Sequence, residues 1–383
     1  MVTDETLRAI TSLARPNRFT VDLSAIGQNL REIRSYVGAS TWLCPALKAD
    51  AYGFGLVPVA RVVVDNGGDA VAVADIGDAA RLRDAGVTCP ILLYAGNLPT
   101  AETVRTITEL GLMPTLVDSE SAKHYASLAA GRKIEAFIKI DVGLERIGIQ
   151  VDAAVGTVRE ISAIPDIDLR GIYTHMHVTE GPNAVDYAKW QFARFQSALE
   201  AIEKAGFAVP IRMAAASAVL AMTSKMTLNA VDPGHILYGL RPPGPQFVSL
   251  DLRSPFASLH SCLIQIKPLE RNAYIEELGF PLRDKMRVGI IPMGRRDGLQ
   301  TLNSGRVLVR GVECAILGGV SLEHTRVDLT DVPDASVGDI VVIIGRQGGK
   351  VIELDDVAIF QQITMPVALA LSVRESVPRE YKT

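Results

Sequence analysis

A lysine that follows an apolar run is the first residue whose surroundings suggest chemistry. Lys48 ends the segment CPALK and is followed by ADAYGFG, which contains two glycines. Apolar neighbours remove an amine from water and favour its neutral form, which can attack a carbonyl group and form a Schiff base. A surface lysine that closes a strand has the same pattern, so Lys48 needs support from other residues.

Other polar residues of the chain have an ordinary structural explanation when they are considered by themselves. They include Arg146 as a surface charge at a helix N terminus and Ser217 as a small residue in a closely packed alanine run. A serine hydroxyl beside backbone N–H groups can bind a phosphate, and an arginine can bind a carboxylate. The structural alternatives are a turn at the Asp-Pro-Gly sequence of residues 232–234 and hydrogen-bonded strand histidines at His175 and His177.

The elements that position these residues follow a regular alternation. Residues 18–245 alternate short apolar segments with longer amphipathic ones, beginning with RFTVDL as a strand and a helix capped by Ser24. Alternating strands and helices predict parallel strands with right-handed crossovers. Eight such units, the last with the strand PIRMAAAS, fit a (β/α)₈ barrel in length. An open doubly wound sheet is the alternative, although no G-x-G-x-x-G follows the first strand.

The pattern changes near residue 245. Segments such as FASLHSCLIQIKPL, KMRVGIIPM and DIVVIIG predict strands with turns between them. The predicted fold class is therefore α/β, with an N-terminal (β/α)₈ barrel followed by a C-terminal mostly-β domain. The predicted domain ranges are 1–245 and 246–383.

Composition limits the function classes. A chain of 383 residues with 48% hydrophobic and 21% charged residues is typical of a globular protein of two domains. Its net charge of −4 gives no reason to expect nucleic acid or a membrane as a partner. The four cysteines form no C-x-x-C pair, and we expect no metal. The N terminus lacks the pattern of a signal peptide, so we expect a cytoplasmic location.

The sequence K-A-D-A-Y-G-F-G resembles the cofactor-lysine motif of the alanine racemases. The resemblance continues through F-I-K-I-D-V-G-L-E-R-I-G, Y-T-H-M-H, A-A-A-S and V-D-P-G-H-I-L-Y-G to S-V-P-R-E-Y. It implies that pyridoxal 5'-phosphate is the cofactor and that Lys48 binds it as a Schiff base. It also implies a homodimer with shared active sites, in which the second domain contributes to the partner's site.

The resemblance assigns roles to individual residues. Arg146 would contact the phenolic oxygen of the cofactor and shape the carboxylate site, with Lys139 steadying it. His175 would stack over the pyridine ring, and Ser217 and Gly234 would bind the phosphate. The implied cofactor-binding residues are Lys48, Tyr52, Arg146, His175, Ser217, Asp232 and Gly234.

Three departures from the family concern the reacting groups. Arg295 stands where the family has an acid/base tyrosine, and arginine is a poor base but a good carboxylate ligand. Asp232 stands where an arginine contacts the pyridine nitrogen, and a carboxylate there would make the cofactor a stronger electron sink. Ser321, Leu322 and Glu323 replace a cysteine, a methionine and an aspartate.

These residues predict an enzyme that acts at the Cα of a small-molecule amino acid. The leading hypothesis is an amino-acid (alanine-type) racemase, with Lys48 as the base on one face. Water, His175 or a group oriented by Arg295 and Glu323 would serve the other face. The alternative is a lyase acting by aldol cleavage, decarboxylation or β-elimination on a polar or acidic amino acid, with Lys48 as its single base. A non-catalytic carrier of the cofactor is a third hypothesis, which the second domain disfavours.

Overall fold

The structure is a computed structural model of the chain. It describes residues 15–270, 282–283, 285–299, 305–360 and 367–383. The N-terminal segment that bears on the expected location lies outside these ranges.

The described residues form two compact units. The first is Ser24–Ser254, and the second combines residues 15–23 with the described part of Pro255–Thr383. The sequence predicts a division after residue 245. In the structure the first unit continues to Ser254, and residues 15–23 belong to the second unit.

The described secondary structure elements are these. The strands are β1 Arg18–Asp22, β2 Trp42–Leu43, β3 Val71–Val73, β4 Ile91–Leu93, β5 Leu112–Leu116, β6 Ile134–Asp141, β7 Ile149–Gln150, β8 Ile167–Tyr173, β9 Ile211–Ala216, β10 Ala230–Asp232, β11 Phe256–Cys262, β12 Gln265–Pro268, β13 Arg287–Ile291, β14 Arg306–Val309, β15 Val312–Ala315, β16 Thr325–Asp328, β17 Ile340–Gln347, β18 Lys350–Ile352 and β19 Arg379–Lys382. The longer helices are Leu23–Val37, Leu56–Asp65, Ile76–Asp84, Ala101–Leu110, Ser119–Leu128, Ala154–Ser162 and Ala184–Lys204, and the shorter ones are Ser217–Met222, Leu354–Phe360 and Val367–Ser372. Over the described ranges, none of the helices is both long and apolar enough to cross a membrane.

Eight parallel strands of the first unit form a barrel. Their hydrogen-bonded order is β2-β10-β9-β8-β6-β5-β4-β3, and every pairing along it is parallel. A bridge between Ala46 and Ala72 joins the two ends of this order, and the Leu47 N–H donates to the Ala72 carbonyl at 2.7 Å. The predicted (β/α)₈ barrel is confirmed.

Side-chain caps begin three of the helices that follow barrel strands. Asp75 accepts a hydrogen bond from the backbone N–H of Gly77, and Thr100 accepts one from Thr103. Asp118 does the same for the helix after β5. Each cap satisfies a backbone donor that has no partner within its helix.

Packed side chains fill the barrel interior. Leu92, Phe137, Tyr173 and Met213 belong to one buried cluster, and Trp42 stacks on Phe137 at a ring-centroid distance of 5.8 Å. A filled interior leaves the strand ends as the place where a ligand can bind.

The first predicted strand, RFTVDL, is not a barrel strand. It forms β1, which pairs antiparallel with β11 and parallel with β19 in the second unit. The eighth barrel strand is instead β10, a segment that the sequence analysis treats only as part of a site motif. An apolar pattern indicates that a segment is extended but does not show which sheet it joins.

The second unit is mainly β-structure. One sheet has the order β15-β14-β17-β11-β1-β19 with β18 beside β17, and a smaller sheet has the order β12-β13-β16. Apart from β1 with β19, the pairings in both sheets are antiparallel. The predicted mostly-β C-terminal domain is confirmed.

A buried asparagine fastens the helix Leu23–Val37 to the end of the first unit. The Asn29 amide nitrogen donates to the carbonyl oxygens of Leu237 and Arg253 at 2.9 and 2.7 Å. Its amide oxygen accepts from the Arg253 N–H at 2.7 Å. The Asn29 side chain has no exposed surface, so the bond to Leu237 is buried and the two bonds to Arg253 are partly buried.

We predict that Asn29→Ala lowers the free energy of unfolding by about 2–4 kcal/mol, since it leaves buried backbone groups without partners. Urea unfolding measures this change. Ser35→Ala, an exposed position on the same helix, is the matched control and should change stability by less than about 0.5 kcal/mol. Equal losses for the two variants would contradict the prediction.

Candidate active site

A cavity of about 620 Å³ opens at the carboxyl ends of the barrel strands. Lys48 follows β2, Tyr94 follows β4, His175 follows β8 and Asp232 ends β10. The predicted site residues of the first unit that line this cavity are Lys48, Tyr52, Lys139, Arg146, His175, Ser217, Asp232 and Gly234. Barrel enzymes place their reacting groups at this end of the strands.

Lys48 extends into the cavity and remains accessible there. Burial by the walls lowers the pKa of its amine, Asp232 opposes that shift and Arg146 adds to it. The Lys48 Nζ atom lies 5.8 Å from the centroid of the Tyr52 ring. A lowered amine pKa increases the fraction of nucleophilic amine at neutral pH.

A left-handed turn follows Lys48. Ala49, Asp50, Ala51 and Tyr52 have φ angles between +53° and +56°, a conformation that costs L-residues about 1–2 kcal/mol each. Contacts around the turn maintain it. The Asp50 carboxylate accepts from the Leu56 N–H at 3.1 Å and from Arg81 at 3.2 Å.

Asp232 is a buried carboxyl group with one unsatisfied oxygen. Its Oδ2 atom accepts a hydrogen bond from the Tyr94 hydroxyl at 3.0 Å, whereas Oδ1 has no partner among the described residues. Burial raises the pKa of Asp232 to about 6, although Tyr94, Lys48 and Lys139 act in the opposite direction. The site thus contains a shielded acceptor that lacks one donor.

Ser217 and Gly234 meet at one side of the cavity. The Ser217 Oγ atom accepts from the Gly234 N–H at 2.8 Å and from the Ile236 N–H at 3.3 Å. The serine proton remains available for an anion. A Cβ atom on Gly234 would lie 2.5 Å from the Tyr52 hydroxyl, so only glycine fits beside that tyrosine.

Cationic side chains form another wall. Asp141 fixes the turn that carries Arg146 by accepting backbone hydrogen bonds from Gly143 at 2.9 Å and Arg146 at 2.8 Å. Burial opposes ionisation of Asp141, but these hydrogen bonds lower its pKa below the usual value. Lys139 is buried, and both that burial and the charge of Arg146 lower its pKa.

His175 is neutral at physiological pH. Burial, reinforced by the charges of Lys139, Lys48 and Arg146, lowers its pKa to about 3. An uncharged imidazole can lie against an aromatic ring without adding a further cation to this wall.

Arg295 and Glu323 belong to the second unit, where they have different surroundings. Glu323 pairs with Arg15 and with Arg296, the latter at 3.3 Å. The hydrogen bond from Arg15 and the charge of Arg296 lower the pKa of Glu323. These ion pairs hold Glu323 in place within the second unit, and its catalytic role stays a prediction. Arg295 lines a separate cavity with Arg374.

The sequence analysis missed Tyr94 and His235. Tyr94 directly follows the strand PILL, and chemistry at strand ends is the signal that could have identified it. His235 lies next to Gly234, and its Nε2 atom is buried without a partner among the described residues.

Family models match nearly the whole chain. The N-terminal domain model of alanine racemase matches residues 21–242, and the C-terminal domain model matches residues 256–381. The chain belongs to the alanine racemase family.

Individual relatives agree over the full length. Alanine racemase 2 of Caldanaerobacter subterraneus subsp. tengcongensis is 35% identical over 373 residues, which are 96% of this chain and 95% of the relative. The solved structure of alanine racemase from Bacillus anthracis with bound L-Ala-P is 27% identical, with a TM-score of 0.88 and coverage of 97% and 96%. Histidine racemase from Leuconostoc mesenteroides subsp. sake is 24% identical and shares the fold, with a TM-score of 0.85 and coverage of 97% and 99%.

We predict that the free energy of unfolding of Asp232→Asn rises relative to that of the parent as the pH increases from about 4 to 6. In this window the folded parent retains a proton that the unfolded chain releases, because burial raises the pKa of Asp232 from 3.8 to about 6. The parent therefore loses up to about 3 kcal/mol of stability across the window, and the asparagine variant does not.

Urea unfolding of ligand-free protein at several pH values measures this difference. Asp168→Asn, an exposed position at the start of β8, is the control. A difference between the Asp232→Asn variant and the parent that is constant with pH would show that Asp232 does not titrate in this window.

Proposed function

We propose that this chain is an amino-acid racemase that uses pyridoxal 5'-phosphate attached to Lys48. The observation that carries the proposal is an amine of lowered pKa in a cavity that also contains a buried carboxyl group with one unsatisfied oxygen and a serine hydroxyl whose proton is free. When bound, pyridoxal phosphate withdraws electrons from the Cα of an attached amino acid and so acidifies its Cα–H bond.

The residues of the cavity fit this cofactor. The free Oδ1 of Asp232 suits the N–H of a protonated pyridine ring, which would supply the missing donor. Ser217 and Tyr52 suit the phosphate, because the serine proton is free and the phenol lies on the same side of the cavity, where Gly234 leaves room for it. Arg146 and neutral His175 would face the ring and the substrate carboxylate.

Few groups in the proposed site can move the Cα proton of the substrate. Lys48 Nζ would take the Cα proton on one face of the substrate and return it there. Arg295 replaces the tyrosine of the family, and arginine stays protonated at physiological pH. We therefore propose that water, oriented by neutral His175, delivers the proton on the opposite face, and that the proton held by Lys48 passes to solvent and neutralises the hydroxide that remains.

Asp232 also favours a second candidate, a lyase on a polar or acidic amino acid. A carboxylate at the ring nitrogen strengthens the electron sink, which suits bond cleavage with Lys48 as the single base. The two functions differ in their products, since a racemase inverts Cα and a lyase changes the carbon skeleton or side chain.

We predict that borohydride reduction of the yellow, cofactor-loaded protein labels Lys48, because Lys48 is the proposed attachment point. Peptide mapping by mass spectrometry identifies the labelled residue, and Lys48→Ala should remain unlabelled. The nearby buried amine Lys139 is the internal control, and labelling there would refute the assignment.

Incubation with D- and L-amino acids in D₂O, followed by NMR, separates the candidate functions. Racemisation predicts deuterium at Cα together with inversion, and Lys48→Ala should abolish both. New carbon products without inversion would favour the lyase. A lack of exchange with every amino acid would contradict both enzymes and favour the non-catalytic carrier.

We also propose a homodimer in which the second unit of one chain completes the cavity of the partner. Mixing a Lys48→Ala chain with an Arg295→Ala chain should then restore about one quarter of the parental sites, because half of the dimers are mixed and each has one intact site. The control is a homodimer of the chain that carries both substitutions, which has no intact site. No restoration would place each complete site within one chain.

A further inference from the structure

A second cavity, of about 300 Å³, lies in the second unit and is cationic. Arg295 and Arg374 line it together with Leu299 and Leu371. No carboxylate lines it among the described residues, and within that part of the chain neither guanidinium group has a hydrogen bond or an ion pair. Two guanidinium groups at one cavity repel each other unless an anion binds between them.

The backbone fixes both arginines at this cavity. A Cβ atom on Gly298, whose φ is +105°, would collide with the Ser372 carbonyl oxygen, so the turn after Arg295 lies directly against the segment before Arg374. The Arg374 N–H donates to the Asp297 carbonyl at 3.3 Å. The two side chains therefore start from segments that are held side by side.

Asp297 strengthens this arrangement without facing the cavity as an anion. The buried carboxylate accepts from the Gly294 N–H at 3.0 Å and from the Ser376 hydroxyl at 3.4 Å. One oxygen also lies 3.9 Å from Arg15. These bonds use its oxygens within the protein and tie the two segments together.

The neighbouring arginines each have an acidic partner, which distinguishes them from Arg295 and Arg374. Arg15 and Arg296 both pair with Glu323. Arg15 and Arg296 therefore share an acidic partner. Among the described residues, Arg295 and Arg374 at the cavity have no acidic partner. Uncompensated arginines in a concave site are a typical carboxylate receptor, since each can make two parallel N–H···O bonds.

We propose that Arg295 and Arg374 bind the side-chain carboxylate of a dicarboxylic amino acid, which would be the substrate. This inference rests on the proposed racemase function and on the shared site of the dimer. Arg146 in the barrel cavity would bind the α-carboxylate of the substrate. Arg295 and Arg374 would then be available to bind the side-chain carboxylate. The apolar Leu299 and Leu371 would contact the methylene groups that carry it.

Binding of glutarate to the cofactor-loaded protein tests the site without requiring turnover. Isothermal titration should show glutarate binding more tightly than its monoamide, which has the same shape and one charge less. Arg295→Gln and Arg374→Gln should each weaken glutarate binding by about tenfold or more, because each removes a charged hydrogen-bonding group. Arg346→Gln, an exposed arginine of β17, is the matched control. Equal affinity for diacid and monoamide, or no effect of either substitution, would overturn the proposal.

Kinetics on acid and amide pairs then connect the site to the substrate. The kcat/KM for Cα exchange should favour glutamate over glutamine and aspartate over asparagine. Arg374→Gln should reduce this preference mainly through KM for the acids, with turnover of the amides retained. A parallel fall for acids and amides would overturn the specificity role. Glutarate binding without Cα exchange for any amino acid would instead refute the racemase function and leave the anion site in place.

Discussion

The buried carboxyl group of Asp232 is the constraint on which the candidate site depends. Its Oδ2 atom is bonded to Tyr94, its Oδ1 atom lacks a donor, and Lys48 and Lys139 are close enough to influence its ionisation. A buried negative charge is costly unless cations and donors surround it. Asp232 in turn raises the pKa of Lys48 against the effect of burial. The reactivity of the amine and the ionisation of the carboxyl group are therefore set together.

The fold supports this coupling by bringing residues from distant strands to one end of the barrel. Lys48, Asp232 and Tyr94 follow or end strands that are far apart in sequence. Closure of the barrel through the Ala46–Ala72 bridge lies only two residues before Lys48. The position of the amine is thereby tied to the hydrogen bonds that complete the sheet.

The sequence pattern predicted the features that depend on residues close together in the chain, such as the alternation of strands and helices. Apolar alternation predicted a barrel of eight strand–helix units, and the resemblance to a family identified the residues that line the cavity, from Lys48 to Gly234. The same pattern assigned β1 to the wrong sheet, because strand pairing is a long-range property. Ion pairing is equally non-local, so the sequence could not show that Glu323 is bound to Arg15. Arg374 was missed because its importance arises only from its closeness to Arg295.

The left-handed turn of residues 49–52 has a consequence for incomplete folding. Its handedness opposes the intrinsic preference of every residue in it, so it persists only while its surroundings hold it. If those contacts loosen, the segment relaxes to the ordinary right-handed form and redirects the lysine before it. The direction in which Lys48 points therefore depends on the tertiary contacts that hold this turn. The left-handed turn thus makes the orientation of the Lys48 amine a property of the folded barrel and not of the local sequence.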